Sequence, residues 1–324
     1  MTEFSKALRR IAAFLLAALL VCISLSACES PRKESPGADA DGYVCFTDAL
    51  GREVAVRRSP ERVAALIGSF ADVWMLAGGE VVATADDAWE DFGLELDGGV
   101  INLGATKSPS LESLLSARPD LVIASAATAK NVEWCDLLES AGICVVYFDV
   151  SGFEDYLEML DVCTQITGRR DLYEQNGLAV KERVDSIRAV HSEKMGGRQP
   201  KVLFLRASAG YIRAKNSHSS VLGEMLAALG CINIADSDSS LLESLSVEVI
   251  LREDPEYVFV VQVGDDAGAV RENVNNMMKE NAAWQELSAV REGRLFYLDK
   301  RLFNLKPNAL WAQAYEELSA ILQN

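Results

Sequence analysis

Short apolar runs alternate with helix-like stretches along the chain from Val63 onward. The clearest apolar runs cover residues 121–124, 145–148, 202–205 and 257–261. Each run is followed by polar residues or glycine and then by a helical pattern, which is typical of parallel strands buried on both faces. The pattern therefore predicts an α/β fold in which mostly parallel sheets are flanked by helices.

A longer segment interrupts this alternation. Residues 169–195 contain no proline and place apolar side chains at roughly helical spacing, and Gly196 and Gly197 follow as a helix end. A helix of about 27 residues is about 40 Å long at about 1.5 Å per residue, which is longer than a crossover between strands needs. We predict that it joins two lobes; a long surface helix within one domain is the alternative.

Two segments of the chain match at a constant offset of 136 residues. The first reads SLESLLSARPDLV from Ser110 and the second reads SVEVILREDPEYV from Ser246, so that Ser, Glu, Leu, Pro, acidic and Val positions recur. Each copy predicts a short helix, a turn at the Pro and the acid, and a buried strand. We therefore expect two similar α/β lobes, residues 43–168 and 198–324, joined by a bridging helix over residues 169–197.

The N-terminal segment has the pattern of an export signal. A basic start, an apolar stretch over residues 11–25 and the sequence LSAC ending at Cys28 predict a lipoprotein signal peptide over residues 1–27. An apolar stretch of about 15 residues is short for a membrane span, which needs about 20. We expect cleavage before Cys28, acylation of its thiol, and a polar tether over residues 28–42. An ordinary signal peptide with an incidental cysteine is the alternative.

The composition narrows the classes of function. The 324 residues carry 31 basic and 48 acidic side chains, and the net charge of −17 argues against nucleic-acid binding, which needs a basic face. Two histidines in the whole chain argue against a metal site built from histidines. Because an odd number of cysteines follows Cys28, at least one is free or pairs outside the chain, and the pairing stays open among Cys45, Cys135, Cys144, Cys163 and Cys231.

These motifs together resemble a known family. The lipobox, the two matched motifs and the long helix, with FTDALGREVAVRRSPERVAAL from Phe46 and WQELSAVREGRLF from Trp284, are similar to the class III substrate-binding proteins of ABC importers. The resemblance covers about residues 43–322. It implies two lobes joined by one long helix, a cargo of cobalamin, haem or ferric siderophore between them, and neither a cofactor nor catalysis. We expect a monomer, lipid-anchored at the extracytoplasmic face of the cell membrane, that delivers its cargo to a permease dimer with ATPase subunits.

In this family each lobe presents one acidic residue to arginines of the permease subunits. The motif match carries that role to Glu112 and Glu248. Equivalent acids on two related lobes independently suit a two-fold symmetric partner, which complementary charge would orient. Each glutamate also lies in the first turn of a predicted helix, where a negative charge favours the helix dipole, and that structural role is the alternative.

The ligand is expected among the loops that follow the strands, in a cleft between the lobes. The segment 206–218 concentrates basic and aromatic side chains in an acidic chain, which suits an anionic, partly planar ligand such as a ferric siderophore or haem. A solvated hairpin is the alternative for this segment. The candidate ligand-binding residues are Trp89, Arg206, Tyr211, Arg213, His218 and Lys306.

Other functions stay open as alternatives. A corrinoid receptor of the same family would use aromatic walls and few charges, and a zinc or manganese receptor would need more histidines. An exported lipoprotein hydrolase would need a nucleophile, a base and an orienting acid, and the sequence contains no GxSxG, HExxH, GxGxxG or Walker motif. A structural or adhesive lipoprotein would not need two matched lobes.

Overall fold

The computed structural model of the protein describes residues 42–218, 220–264 and 266–323. The predicted signal peptide, Cys28 and the tether through residue 41 lie outside these residues. Within them, no helix combines the length and the apolar character that crossing a bilayer requires. The five cysteines that follow Cys28 form no disulfide in this part of the chain.

The first half of the described chain builds a five-stranded parallel sheet that follows a β-hairpin. The hairpin pairs the antiparallel strands β1 (Tyr43–Thr47) and β2 (Glu53–Arg57). The sheet has the strand order β5-β4-β3-β6-β7, with β3 (Val63–Ala65), β4 (Ala83–Thr84), β5 (Ile101–Asn102), β6 (Leu121–Ser125) and β7 (Cys144–Phe148). Its helices are α1 (Gly68–Leu76), α2 (Asp87–Glu90), α3 (Leu111–Ser116), α4 (Ala129–Glu133), α5 (Cys135–Ser140) and α6 (Phe153–Thr167).

One helical run connects the two halves of the chain. It consists of α7 (Arg170–Tyr173), a π-helical turn (Glu174–Leu178) and α8 (Ala179–Met195), so the predicted long helix is confirmed. Gly177 lies in the π-helical turn, where a Cβ would stand 3.0 Å from the ring of Tyr173. Gly196 ends the run in the left-handed conformation, with a φ of 57°.

The second half repeats the parallel sheet and adds one antiparallel strand. The parallel order is β10-β8-β11-β12 and β9 pairs antiparallel with β8, with β8 (Lys201–Ala207), β9 (Ile212–Lys215), β10 (Ile232–Asn233), β11 (Tyr257–Gln262) and β12 (Leu295–Leu298). Its α-helices are α9 (Val221–Ala228), α10 (Ile234–Ser237), α11 (Ser240–Glu243), α12 (Val247–Glu253), α13 (Ala267–Glu280), α14 (Ser288–Arg291), α15 (Lys300–Phe303) and α16 (Trp311–Leu322). Two 3₁₀ turns complete it, Ala282–Glu286 and Asn308–Leu310.

The two sheets face a shared central layer of helices. Successive strand residues point to opposite faces, and Ile123 of β6 and Phe204 of β8 belong to one buried apolar cluster. Helices α1, α6, α9 and α16 contribute Phe70, Leu160, Leu222 and Trp311 to the same cluster. The outer faces pack into two separate clusters, which contain Val122 and Val258. Burial on both faces explains the continuous apolar runs, and the expected α/β fold with two mostly parallel sheets is confirmed.

Candidate functional site

Three basic side chains share the inner face at the end of strand β8. Along β8, Phe204 packs into the central apolar cluster and Leu205 packs into the outer one. Because side chains alternate along a strand, Arg206 points to the same side of the sheet as Phe204. Antiparallel pairing places Arg213 of β9 directly opposite Arg206. The same register places Lys215 opposite Phe204. Because opposite residues in an antiparallel pair lie on the same face, Arg206, Arg213 and Lys215 form one basic cluster that faces the central layer.

The basic cluster lacks acidic partners within the part of the chain that the structure describes. None of its three side chains forms an ion pair there, and the buried Nε of Arg206 has no hydrogen-bond acceptor there. Burial lowers the pKa of Lys215, and the charges of Arg206 and Arg213 lower it further. Like charges this close destabilise one another, so a bound anion would relieve the repulsion.

Tyr211 and His218 precede and follow strand β9. The Arg213 guanidinium lies 5.8 Å from the centroid of the Tyr211 ring, within cation–π range, and Tyr211 is 41% exposed. His218 is exposed, and its backbone N–H donates to the Oδ1 of Asn216. The structure therefore joins Tyr211 to the basic cluster, whereas the His218 side chain forms no hydrogen bond, ion pair or ring contact with the cluster among the described residues.

The carboxyl edge of the first sheet holds Trp89 in a tightly packed turn. Trp89 is half-buried in α2, directly after β4. In the same helix the Asp87 carboxylate accepts the N–H of Gly68 at 2.8 Å, and Gly68 begins α1 after β3. A Cβ at Gly68 would stand 2.5 Å from the N of Ala88, so glycine permits the two strand ends to approach this closely. Burial raises the pKa of Asp87 to about 6.

Lys306 lies at the same edge of the first sheet. Its Nζ is 5.7 Å from the centroid of the Phe70 ring. Burial lowers the pKa of Lys306, and the charges of Asp149, Asp87 and Asp155 act in the opposite direction. Lys306 therefore lies among acidic residues of the first half and not with the basic cluster. The predicted ligand residues that the structure groups are Arg206, Tyr211 and Arg213 in the second half, and Trp89 and Lys306 at the edge of the first sheet.

The carboxyl edge of the first sheet approaches the second half of the chain at α9, the helix that follows the hairpin of β8 and β9. A Cβ at Gly152, in the loop after β7, would stand 3.8 Å from the Cγ of Glu224. Glu224 lies in the first turn of α9, the helix that follows the hairpin of β8 and β9. The loop after β7 therefore meets the start of α9.

A second tie between the halves was missed by the sequence interpretation. After strand β12, Lys300 pairs with Asp91 at 2.5 Å and Arg301 pairs with Asp72 at 3.2 Å. The Nδ2 of Asn308 also donates to Asp72, at 2.8 Å. Burial raises the pKa of Asp72, although Asn308 and Arg301 oppose that shift. The segment after β12 therefore fastens the second half to α1 and the end of α2, in addition to the long helix.

Glu112 and Glu248 occupy equivalent places on the two halves. They lie in the first turns of α3 and α12, where the side chains of Ser110 and Ser246 accept backbone N–H groups. Both glutamates are exposed, and neither has an ion-pair partner within the described ranges. The strands that follow, β6 and β11, each lie between two parallel neighbours. The repeat in the sequence is therefore a repeat of structure.

One group of side chains has the composition of a metal site. Cys135, Asp136 and Glu139 each place one ligand atom within 4.8 Å of the others. The guanidinium of Arg52 donates to Cys135 at 2.8 Å and to Glu139 at 2.6 Å, and it also pairs with Asp48. A fixed cation beside these ligands opposes the binding of a divalent ion, and Glu139 forms an ion pair with it instead.

The sequence profile of a family described as "Periplasmic binding protein" matches residues 63–302, which is most of the chain. The chain belongs to this family. Periplasmic binding proteins of this family bind substrates for ABC transporter permeases and are not enzymes. The resemblance to class III substrate-binding proteins, stated above from the motifs, is confirmed.

Similar proteins include one relative by sequence and two solved structures of the same fold. The Fe(3+)-citrate-binding protein YfmC of Bacillus subtilis (strain 168) is 24% identical over 287 residues, covering 87% of each chain. The structure of Staphylococcus aureus SirA complexed with staphyloferrin B has a TM-score of 0.67 and 20% identity, covering 86% of this chain and 98% of that one. The apo periplasmic heme-binding protein RhuT from Roseiflexus sp. RS-1 has a TM-score of 0.65 and 21% identity, covering 81% and 98%.

Proposed function

We propose that this chain is the substrate-binding component of an ABC importer and that it captures an anionic iron complex, a ferric siderophore or haem. The basic cluster carries the proposal, because the half-buried Arg206 and Lys215 and the exposed Arg213 lie on one face of the β8–β9 hairpin without acidic partners in the described part of a chain with a net charge of −17. Unpaired charges at a half-buried site are unfavourable unless a ligand of opposite sign binds there.

The composition of the cluster favours a ligand with several carboxylates. Two guanidinium groups offer forked donors that match carboxylate oxygens bidentately, and the ammonium group of Lys215 adds a point charge. The ring of Tyr211, already in contact with Arg213, offers a flat surface to the ligand. Three cations suit a ferric polycarboxylate better than haem, which carries two propionates. The name of YfmC, an Fe(3+)-citrate-binding protein, supports a ferric ligand that carries carboxylates.

Delivery requires an anchor and a docking surface. We expect Cys28 to be acylated and to hold the protein at the extracytoplasmic face of the membrane. Glu112 and Glu248, at equivalent places on the two halves, would meet arginines on the two permease subunits. The helical run over residues 170–195 and the ion pairs after β12 restrict the lobes to modest closure, and ATP would be hydrolysed by separate subunits.

Binding titrations test the ligand class directly. Quenching of the fluorescence of the five tryptophans would be followed with ferric citrate, ferric desferrioxamine, haem and cobalamin. We expect ferric citrate to bind most tightly, because it presents the largest number of carboxylate oxygens. Arg206→Met should weaken this binding by about tenfold to a hundredfold, the range for a lost hydrogen bond between charged groups.

Arg57→Met is the matched control for Arg206→Met. Arg57 is exposed at the end of β2 and forms no ion pair within the described ranges, so its replacement removes one positive charge away from the cluster. Equal affinities of Arg206→Met and Arg57→Met for ferric citrate would refute the basic cluster as the binding site. Tighter binding of cobalamin than of any iron complex would favour the corrinoid alternative.

A further inference from the structure

The helices that carry Glu112 and Glu248 are fastened by equivalent basic side chains. Arg62, just before β3, donates from Nε and Nη2 to the carbonyl of Ala117 at 3.0 and 2.6 Å. Lys201, at the start of β8, donates from Nζ to the carbonyl of Glu253 at 3.3 Å. Both carbonyls lie at the C-terminal ends of these helices, and they are related by the same offset of 136 residues as the two glutamates.

An acidic residue completes each of these arrangements. The carboxylate of Asp120 accepts the N–H groups of Glu61 and Arg62 at 2.8 and 3.0 Å, and that of Glu256 accepts the N–H of Lys201 at 3.3 Å. The backbone contact is repeated as well. Asp120 donates its N–H to the carbonyl of Arg62 at 2.9 Å, and Glu256 donates to that of Lys201 at 2.8 Å. Each half therefore ties the end of its exposed helix to the start of a neighbouring strand in the same way.

We propose that Arg62 and Lys201 are positioning residues for docking on the permease, an inference that rests on the proposed function. A cation at a helix C-terminus satisfies carbonyls that lack intrahelical partners and interacts favourably with the helix dipole. Helices α3 and α12 have only six and seven residues, so fixing the last turn also fixes the first turn, which carries the glutamate. A two-fold symmetric partner requires both acids at a set separation, so either anchor should matter.

Arg58 provides a matched control within the same loop. Its Nη1 donates to the carbonyl of Gln165 at 2.7 Å, near the C-terminal end of α6. The bond is of the same chemical kind as that of Arg62, but α6 carries neither of the two docking glutamates. A general requirement for helix capping would affect Arg58→Met and Arg62→Met alike, whereas a positioning role affects Arg62→Met alone.

The test measures binding of the full chain to its permease–ATPase complex in nanodiscs by biolayer interferometry. Arg62→Met and Lys201→Met should each raise the dissociation constant by about threefold to tenfold, because a docking glutamate that is no longer held in place should lose affinity equivalent to about one net hydrogen bond. Arg62→Lys and Lys201→Arg should stay within about twofold of the original protein, because the two halves use the two cations for the same purpose. The affinity for ferric citrate should not change in any of these variants.

The outcomes separate this inference from the proposed function. The double variant Glu112→Lys with Glu248→Lys tests docking itself and should abolish binding to the permease. If it does, and Arg62→Met and Lys201→Met still bind as tightly as Arg58→Met, the positioning role is wrong and docking stands. If the charge reversal leaves binding unchanged, both are wrong. Equal losses in Arg62→Met and Arg62→Lys, with melting temperatures above the assay temperature, would also overturn the positioning role.

Discussion

A methyl group at Gly68 should disrupt the carboxyl edge of the first sheet. In Gly68→Ala the new Cβ would stand 2.5 Å from the N and 2.7 Å from the Cα of Ala88, and 2.9 Å from the carbonyl carbon of Asp87. All three are backbone atoms, so rotation of a side chain cannot relieve the overlap. The turns that follow β3 and β4 must therefore move apart.

The size of the effect follows from these distances. Ordinary Cβ contacts begin at 3.4 Å, so the closest contact at Gly68 must lengthen from 2.5 Å by nearly 1 Å. Overpacking costs about 1–3 kcal/mol where side chains can adapt, and we expect about 3 kcal/mol or more here because backbone must move. The movement would also break the bond from the Gly68 N–H to Asp87 and displace Trp89, which is a proposed ligand-binding residue, so we expect ligand affinity to fall as well.

Urea unfolding measures this loss, and Gly98→Ala is the control. Gly98 is exposed, has no positive φ, and nothing among the described residues lies within 4 Å of a Cβ built there. Its replacement should be neutral or stabilise by up to about 1 kcal/mol, because alanine reduces the entropy of the unfolded chain. A free energy of unfolding for Gly68→Ala within about 0.5 kcal/mol of that for Gly98→Ala would refute the close approach of the two turns.

Two further predictions concern titration and backbone strain. His191 is buried, with its Nδ1 2.9 Å from the Ser319 hydroxyl, and burial lowers its pKa. Below about pH 6.5 the unfolded chain therefore binds more protons at this residue than the folded protein does. The free energy of unfolding should therefore fall as the pH drops below that value, and His191→Gln should flatten the plot of urea midpoint against pH; parallel plots would contradict this. Arg118 and Asp254 adopt left-handed conformations with φ of 47° and 43°. In thermal melts Arg118→Gly should stabilise the protein by up to about 1 kcal/mol, because glycine adopts a positive φ without strain. Asp254→Gly should instead destabilise the protein by about 1 kcal/mol, because the Asp254 carboxylate accepts two hydrogen bonds from Ser288, at 2.6 and 2.9 Å. Changes of the same sign in both variants would count against this explanation.

The central strands were predictable because their signals are local. The apolar runs at residues 121–124 and 257–261 form β6 and β11, which are buried on both faces. Every residue of each run is therefore apolar, and the run alone predicts a buried strand. The repeat at an offset of 136 residues was visible for a related reason. In each copy the Ser caps the helix, the Glu lies in its first turn, and the Pro lies in the turn before the strand. These roles depend only on neighbouring residues, and the same residue types occur in both copies.

The edge strand and the second tie were harder to predict, for different reasons. Strand β9 alternates, with Ile212 and Ala214 toward the outer cluster and basic residues on the other face, and a four-residue alternation is a weak signal next to a continuous run. The tie after β12 joins Lys300 to Asp91 across 209 positions of sequence. In a chain with 48 acidic residues, nothing near a lysine indicates which acid it will meet.

The distribution of repeated and unrepeated features fits the two tasks proposed for this protein, docking on a permease and binding of a ligand. The exposed glutamates, their serine caps and their basic anchors recur in both halves, as a partner with two-fold symmetry would require. The charges at the strand ends do not recur, since the second half has the basic cluster and the first half has Lys306 among aspartates. A single ligand imposes no symmetry on the surfaces that hold it. Substitutions in the repeated set should therefore change docking without changing ligand affinity, and substitutions in the basic cluster should do the reverse.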